Sequence, residues 1–508
     1  MNGQETSQSR GSEKRVFELT DLQVLIFIAS VRFLIHLVTN NHYGFHQDAL
    51  AFLANGSHLD WGYVAYPPLT PFFGRIGLEL FGTSLVGIKS LAALAQCIAM
   101  VFTGLMAKEM GGGRQAQVMA AVAAGISLMS LAMGTLFQYI TFDYLLWVLI
   151  LYCLLRLLNT DDPRWWVGIG ILIGLGMMNK YTVAFLVVAI VFVVLITKLR
   201  KHLRSPWLWL GVLLSCLIFL PNLVWQLQHD FISIDFLSYI SGRDKLLGRA
   251  DGFFSQQLYV NVNPIVLPLA LSGIYFFLSD SGKRYRPLLV IFFTTLLLFK
   301  VAGGRFYYTA PLYPMLMAGG SVVVEKWLHQ RPVAHQKRIL AGIGLLLIIG
   351  AAMGIALMLP VAPVHSALWD LTSGIHDNFV DQIGWEEVVE TTATIYQSEQ
   401  GSYQSLGILA SHYGLASAFQ LYGDRYSLPT AISPTNSYWL RGYGEKPPEA
   451  VITIGFDREA LDNYFIACRL VGKNENKYQI EKPFPEIYLC EHPKGGWENL
   501  WPRIRSFA

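Results

Sequence analysis

The sequence predicts an α-helical polytopic membrane protein with an α/β domain at its C-terminal end. Hydrophobic residues make up 53% of the chain and charged residues only 14%, whereas soluble domains contain about 25% charged residues. The chain also contains about eleven apolar runs, most of them long enough to cross a bilayer as a helix. The predicted spans are 22–39, 84–106, 116–135, 141–158, 165–179, 182–197, 207–224, 262–279, 287–301, 308–325 and 339–359. The helix count around 165–197 stays open because that pair of runs is short and weakly separated.

The positions of lysine and arginine predict the orientation of these spans. Cytoplasmic loops carry an excess of Lys and Arg, and the cations fall in alternate connections if the N-terminus is inside. The cations that define the inner side are Arg10, Lys14, Arg15, Lys108, Arg114, Arg156, Arg164, Lys198, Arg200, Lys201, Arg204, Lys283, Arg284, Arg286, Lys326, Arg331, Lys337 and Arg338. The expected parts are a cytoplasmic polar leader at 1–21, a transmembrane domain at 22–359 with outer loops at 40–83 and 225–261, and an extracytoplasmic domain at 360–508.

The C-terminal part has a different character, because strand-like and helix-like runs alternate along it. The expected strands are 406–409, 450–454 and 486–489, and the expected helices are 385–396 and 413–422. Such alternation is typical of a small α/β domain, which we expect to act as a cap or an acceptor-binding module. Cys468 and Cys490 both lie here, and an oxidising compartment would permit a disulfide. The sequence alone does not show whether their geometry allows one.

Two carboxylates on the predicted outer side are candidates for catalysis. Asp48 lies in the first outer loop, where aromatic residues and the turn formed by Tyr66, Pro67 and Pro68 surround it. A lone carboxylate beside a bilayer surface in this setting favours lipid-linked chemistry over a solvated loop residue. Asp143 lies where the chain re-enters the membrane at the fourth span. The alternative for Asp143 is a carboxylate that only complements the helix dipole.

Several cations lie outside the cytoplasmic loops in which Lys and Arg are expected, and each is therefore a candidate for a function. Arg32 lies within the first span, Lys180 at the outer end of the fifth, and Arg305 at an outer mouth, followed by Tyr307 and Tyr308. Ionisable residues inside spans are functional candidates by default. Arg and Lys at the outer face would suit an anionic lipid headgroup. The alternative is that each long side chain only reaches to the interface.

A metal site is weakly indicated, and a nucleic-acid site is not indicated. His42 and His46 share the first outer loop with Asp48 and are the metal-ligand candidates, although their spacing matches no standard site. Whether a divalent metal takes part stays open, and no other cofactor is indicated. Nucleic-acid binding is not expected, because the net charge is only +3 and the basic residues follow the topology.

The chain resembles the polytopic glycosyltransferases of the GT-C superfamily, in particular the bacterial family 39-like branch. That branch is similar to the dolichyl-phosphate-mannose protein mannosyltransferases and to the aminoarabinose transferases that modify lipid A. The resemblance rests on His46-Gln47-Asp48, Gly62-Tyr63, Tyr66-Pro67-Pro68-Leu69, Thr141-Phe142-Asp143, Gly174-Leu175-Gly176, Asn179-Lys180-Tyr181, Arg305 to Pro314, Gly384-Trp385 and Ser411-His412-Tyr413-Gly414. The chain departs from the pattern at Ala49, where many relatives have a second acid, and at Tyr66, where His often precedes the Pro pair. These departures put a shared acid-pair or metal role in doubt.

The resemblance implies a GT-C-like transmembrane domain that moves a sugar, usually with inversion, from a polyprenyl-phosphate carrier to an acceptor hydroxyl. The transfer would take place at the outer face of the bacterial cytoplasmic membrane, and the acceptor could be a glycan, a lipid or a protein. Asp48 is the expected general base, and Asp143 would orient the acceptor or the sugar. The donor phosphate would be held by Lys180, Arg305, Tyr307, Tyr308 and Arg32, while His46, Tyr66, Pro67 and Pro68 shape the first loop. A transporter or flippase of lipid-linked sugars is the alternative, although it would more often show two related halves, which this sequence does not display.

Overall fold

The computed structural model describes residues 19–480 and 483–507. Nearly all of the predicted leader at 1–21, with Arg10, Lys14 and Arg15, lies outside the described residues. From there to residue 359 the chain forms α-helices joined mostly by short connections. They are α1 (Asp21–Thr39), α2 (Gln47–Ser57), α3 (Leu69–Phe81), α4 (Leu85–Glu109), α5 (Arg114–Gly125), α6 (Leu128–Thr135), α7 (Tyr139–Thr160), α8 (Trp165–Met177), α9 (Val183–Ile196), α10 (Pro206–Gln228), α11 (Ile232–Leu246), α12 (Phe253–Tyr259), α13 (Leu267–Leu278), α14 (Arg286–Val301), α15 (Tyr313–His329) and α16 (Val333–Met358).

The helices support a multi-pass membrane protein. Within the described residues, five are long and apolar enough to cross a membrane, namely α1, α4, α7, α10 and α16. The count rises to seven if each of two bent pairs forms one span: α5 with α6, and α9 with the 3-10 helix Lys198–Arg204. Every predicted span overlaps a helix, but α8 and α13 are shorter apolar helices. Eleven spans therefore stay a prediction.

The loops expected on one side of the membrane contact one another. On the predicted outer side, the Leu69 amide donates to the Met178 carbonyl at 2.9 Å, and the Asn222 amide donates to the Trp61 carbonyl at 2.8 Å. On the predicted inner side, the Tyr285 hydroxyl donates to the Glu109 carbonyl at 3.1 Å. This grouping fits helices that cross a bilayer in alternating directions.

The C-terminal part is an α/β unit built on a mixed sheet. Its elements are α17 (Ala367–Ile375), α18 (Trp385–Glu399), β1 (Leu406–Ala410), α19 (Tyr413–Tyr422), α20 (Asn436–Arg441), β2 (Ala450–Ile454), α21 (Arg458–Tyr464), β3 (Phe465–Lys473), β4 (Glu486–Pro493) and α22 (Gly496–Ile504). The strand order is β1-β2-β4-β3. The β1 and β2 strands are parallel, and β4 is antiparallel to both of its neighbours.

The β3 strand is the one strand of the sheet for which the sequence analysis names no run. It lies at an edge of the sheet, and its apolar residues do not alternate, since Ile466 and Leu470 are 70% and 60% exposed. Cys468 on this strand is in register with Cys490 on β4, and the two form a disulfide. Strand pairing supplies the geometry that the sequence left open.

The α/β unit shares a hydrophobic core with the first outer loop. Phe52 and Leu53 of α2 belong to the same buried cluster as Ile408 of β1 and Leu415 and Phe419 of α19. Full burial of one such side chain stabilises a structure by roughly 1.5–3 kcal/mol. The shared core therefore fixes the C-terminal unit against α2, the helix that carries Asp48.

Candidate active site

Asp48 lies in the first turn of α2, where the helix dipole favours a carboxylate. His46 is the N-cap, and its ring Nδ1 accepts a hydrogen bond from the Asp48 amide at 3.1 Å. The apolar run that follows, residues 49–54, is buried, so this helix is enclosed by protein. Burial fixes the helix and therefore the position of the Asp48 side chain.

The two carboxylate oxygens of Asp48 have different partners. The Tyr413 hydroxyl donates to Oδ1 at 2.7 Å. The Gln138 amide donates to Oδ2 over a longer 3.3 Å, and the His46 Nδ1 atom lies 3.9 Å from Oδ2. The side chain stays 32% exposed. Asp48 is thus oriented by neighbours and still open to a reactant.

His46 connects Asp48 to the C-terminal unit. Its ring is buried, and its Nε2 lies 3.2 Å from Oδ2 of Asp381, while its Nδ1 is 3.1 Å from the Gln138 amide nitrogen. Burial lowers the pKa of His46, but the hydrogen bond that its ring donates to Asp381 and the charges of Asp48, Asp381 and Asp377 outweigh burial and raise it. The ring is therefore held between carboxylates.

The other histidine proposed as a metal ligand has a different partner. His42 donates from Nδ1 to the Pro360 carbonyl at 2.7 Å. Over residues 19–480 and 483–507, no group of three or more His, Cys, Asp or Glu side chains is placed to hold a metal ion.

The turn at Tyr66, Pro67 and Pro68 positions the first loop against the fifth predicted span. Tyr66 is buried, and its hydroxyl accepts a hydrogen bond from the Asn55 amide at 2.7 Å. Pro68 immediately precedes α3, whose first residue bonds to the Met178 carbonyl. The turn thereby links the Asp48 loop to the segment that carries Lys180.

Lys180 lies in the break between α8 and α9, in a buried position. Its Nζ atom is 3.7 Å from the centre of the Tyr139 ring, and the charges that act on it come from Asp143, Arg305 and Asp48. Asp143 is fully buried. Its oxygens make no hydrogen bond of good geometry, although Asn179, Trp147 and Thr182 lie nearby. The main charge that faces Asp143 is thus the Lys180 ammonium.

Arg305 is held by the second outer loop. Its guanidinium donates to both oxygens of Asp244, at 2.6 and 2.8 Å, and to the Tyr307 hydroxyl at 3.1 Å. Burial raises the pKa of Asp244, but Arg305 outweighs it and lowers that pKa. The Tyr307 and Tyr308 rings are 4.6 Å apart, and Tyr308 contacts Tyr139. Tyrosines therefore connect Arg305 to the ring beneath Lys180.

Arg32 does not share a contact with this cation group. Its guanidinium donates to the carbonyls of Gln96 at 3.1 Å and Ser130 at 2.7 Å, and to the Ser130 hydroxyl at 3.0 Å. It is buried between α1, α4 and α6. These contacts tie helices together, so the candidate phosphate site consists of the other four residues.

Comparison with known proteins supports one fold. Two structures of ArnT from Cupriavidus metallidurans, one of them bound to undecaprenyl phosphate, superpose on 92% of this chain and 97% of theirs, with TM-scores of 0.55 and 0.57 and 13% and 12% identity. A family model described as dolichyl-phosphate-mannose-protein mannosyltransferase matches residues 65–225. The chain therefore has the fold of these ArnT structures and resembles the GT-C glycosyltransferases.

A curated relative is the lipid A galacturonosyltransferase RgtD of Rhizobium johnstonii. It is 28% identical over 242 residues, which are 46% of this chain and 50% of the relative. The chain therefore matches about half the length of that protein.

Sequence reasoning missed several residues of the candidate site. Tyr413 occurs in a motif that carried the resemblance, but it lies 365 positions from Asp48, and no local pattern predicts such a contact. Gln138 and Asp381 are single polar residues without a motif. Asp244 lies in the outer loop among Arg243, Lys245 and Arg249. A carboxylate surrounded by cations in the sequence could therefore have identified it as an ion-pair partner.

Proposed function

We propose that this chain is a glycosyltransferase that moves a sugar from a polyprenyl-phosphate-linked donor to an acceptor hydroxyl. The reaction would occur at the outer face of the bacterial cytoplasmic membrane. One observation carries the proposal: an oriented and accessible carboxylate, Asp48, faces a group of cations and tyrosines around Lys180 and Arg305. The resemblance to ArnT, whose structure contains undecaprenyl phosphate, supports a lipid-phosphate donor.

Asp48 acts in this proposal as the general base. Its Oδ2 takes the acceptor proton while the acceptor oxygen attacks the anomeric carbon, so the configuration at that carbon inverts. The bond from the anomeric carbon to the phosphate oxygen breaks, and the phosphate leaves with the electron pair. General-base catalysis contributes about 10²–10⁴ in rate.

The cation group stabilises the departing phosphate. Lys180 supplies a point charge and Arg305 a planar fork that suits phosphate oxygens, while Tyr307 can donate a hydrogen bond. Charge stabilisation in a site that excludes water is worth more than in bulk solvent. Asp143 keeps Lys180 charged and in place, because an ammonium buried without a counter-charge would tend to lose its proton.

A transfer assay tests the proposal directly. Purified full-length protein in nanodiscs is given a panel of undecaprenyl-phosphate hexoses and pentoses, with envelope lipid, glycan and protein fractions as acceptors. We expect release of free undecaprenyl phosphate by the wild type and a loss of about 10²–10⁴-fold with Asp48→Asn.

Asp60→Asn is the matched control, because Asp60 lies in the same loop and its carboxylate accepts from the Trp225 indole at 2.8 Å. An asparagine oxygen can still accept that bond, so wild-type turnover is expected. Equal release by Asp48→Asn and the wild type would remove Asp48 as the base. Movement of the intact donor across the bilayer without release would instead identify a flippase.

A further inference from the structure

The C-terminal unit contacts the proposed base through one side chain. Tyr413 is the first residue of α19, and its hydroxyl donates to Oδ1 of Asp48 at 2.7 Å. This is the shortest hydrogen bond that the structure gives to the Asp48 carboxylate. A group from the unit at 360–508 therefore touches a reactive residue of the membrane part.

The position of Tyr413 is fixed by close packing. A Cβ atom on Gly414 would lie 3.0 Å from the Cβ of Gln47, so glycine at 414 allows the start of α19 to approach the start of α2. Further along, the Ser437 hydroxyl accepts from the Val64 amide at 3.1 Å, and Arg441 donates to the Asn55 side chain. These contacts fix α19 and α20 against the first outer loop, and they thereby fix the Tyr413 hydroxyl beside Asp48.

We propose that Tyr413 is a positioning residue that fixes Asp48 and leaves Oδ2 as the oxygen that takes the acceptor proton. The inference rests on the proposed function. A hydrogen bond to a charged group contributes more than a neutral one, so Oδ1 is committed to Tyr413. Oδ2 has longer contacts, 3.3 Å to the Gln138 amide and 3.9 Å to His46 Nδ1, and is the freer oxygen. The C-terminal unit then completes the active site.

Tyr413 keeps its own proton during the reaction. Burial, followed by the charge of Asp48, raises the pKa of the Tyr413 phenol well above its usual value. The phenol therefore donates throughout the pH range in which the enzyme would work. The proton from the acceptor goes to Asp48 and not to the tyrosine.

The test compares Tyr413→Phe with the wild type in the transfer assay. We expect kcat to fall roughly tenfold, the KM for undecaprenyl-phosphate sugar to stay the same, and the acid limb of the pH–rate profile to move to higher pH. The limb moves because a donor that favours the carboxylate form has been removed. Tyr422→Phe removes a buried hydroxyl from the same helix and should match the wild type.

Two results would overturn the inference. One is wild-type kcat and pH profile in Tyr413→Phe. The other is a lower kcat without any movement of the acid limb, which would assign Tyr413 a structural role. If the wild type itself releases no undecaprenyl phosphate, the proposed function fails, whereas activity that depends on Asp48 but not on Tyr413 overturns only this inference.

Discussion

The two ends of the helical bundle use charged residues differently. At the predicted inner end, Arg156 contacts Glu109 at 2.5 Å and Arg114 contacts Asp21 at 2.6 Å, and these side chains are partly exposed to water. At the outer end, Lys180 faces an aromatic ring at 3.7 Å. Lys180 also has a counter-charge, Asp143, but Lys180 is buried, and a charge shielded from water attracts an anion more strongly than an exposed one.

Arginines at the outer end share one counter-ion. Asp244 lies within 4 Å of Arg305, Arg243 and Arg249, so three positive charges surround a single negative one. Their excess charge suits an anionic lipid headgroup. Lys and Arg counts thus predict orientation, while a group of cations that is withdrawn from water at one end indicates chemistry.

Replacing a lysine at each end should give the largest difference between them. Lys180→Met keeps the length of the side chain but removes the charge from the proposed phosphate site, so we expect kcat to fall about 10²–10³-fold in the transfer assay. Lys201→Met removes an exposed inner lysine that pairs with Asp161 and should leave turnover unchanged. Equal losses in both variants would mean that the outer charge has no special role.

A matched pair of arginines tests geometry at constant charge. Arg305→Lys keeps the positive charge but loses the planar fork, and we expect the KM for the donor to rise roughly tenfold. Arg156→Lys at the inner end should change neither kcat nor KM, because its pair with Glu109 is remote from the donor. An unchanged KM in Arg305→Lys would show that Arg305 serves only to hold Asp244.

The sequence predicted the helical fold and the GT-C likeness because these depend on hydrophobic runs and motifs that are local. It also predicted that Asp48, Lys180, Arg305, Tyr307 and Tyr308 belong to one site, and this stays a prediction. It did not predict the partners of Asp48, because Tyr413 and Gln138 reach it through long-range packing. Arg32 had the same signal as Lys180, an unexpected cation in a span, and only its contacts with backbone carbonyls distinguish it.

The smallest expected effect concerns the two histidines that flank α2, His46 at its start and His58 at its end. Helix dipoles favour a protonated histidine at the C-terminal end of a helix, yet here the order is reversed. The pKa of His46 is raised, because its carboxylate neighbours outweigh burial. The pKa of His58 is lowered by burial and by the charge of Arg441. Neighbouring charges therefore outweigh the dipole.

These shifts predict stability slopes of opposite sign. A raised pKa means that protonation favours the folded state, so the contribution of His46 is present below its unfolded pKa of about 6.5 and is lost as pH rises through its folded pKa. A lowered pKa means that His58 destabilises the fold as pH falls below about 6.5. We expect the Tm of His46→Gln, measured in detergent from pH 5 to 8, to decline less towards high pH than the Tm of the wild type. For His58→Gln we expect the Tm to decline less than in the wild type towards low pH. This change should be smaller than that in His46→Gln, because His58 is more exposed. Parallel Tm curves for both variants would show that Asp381 and Asp48 do not act on His46 in this way.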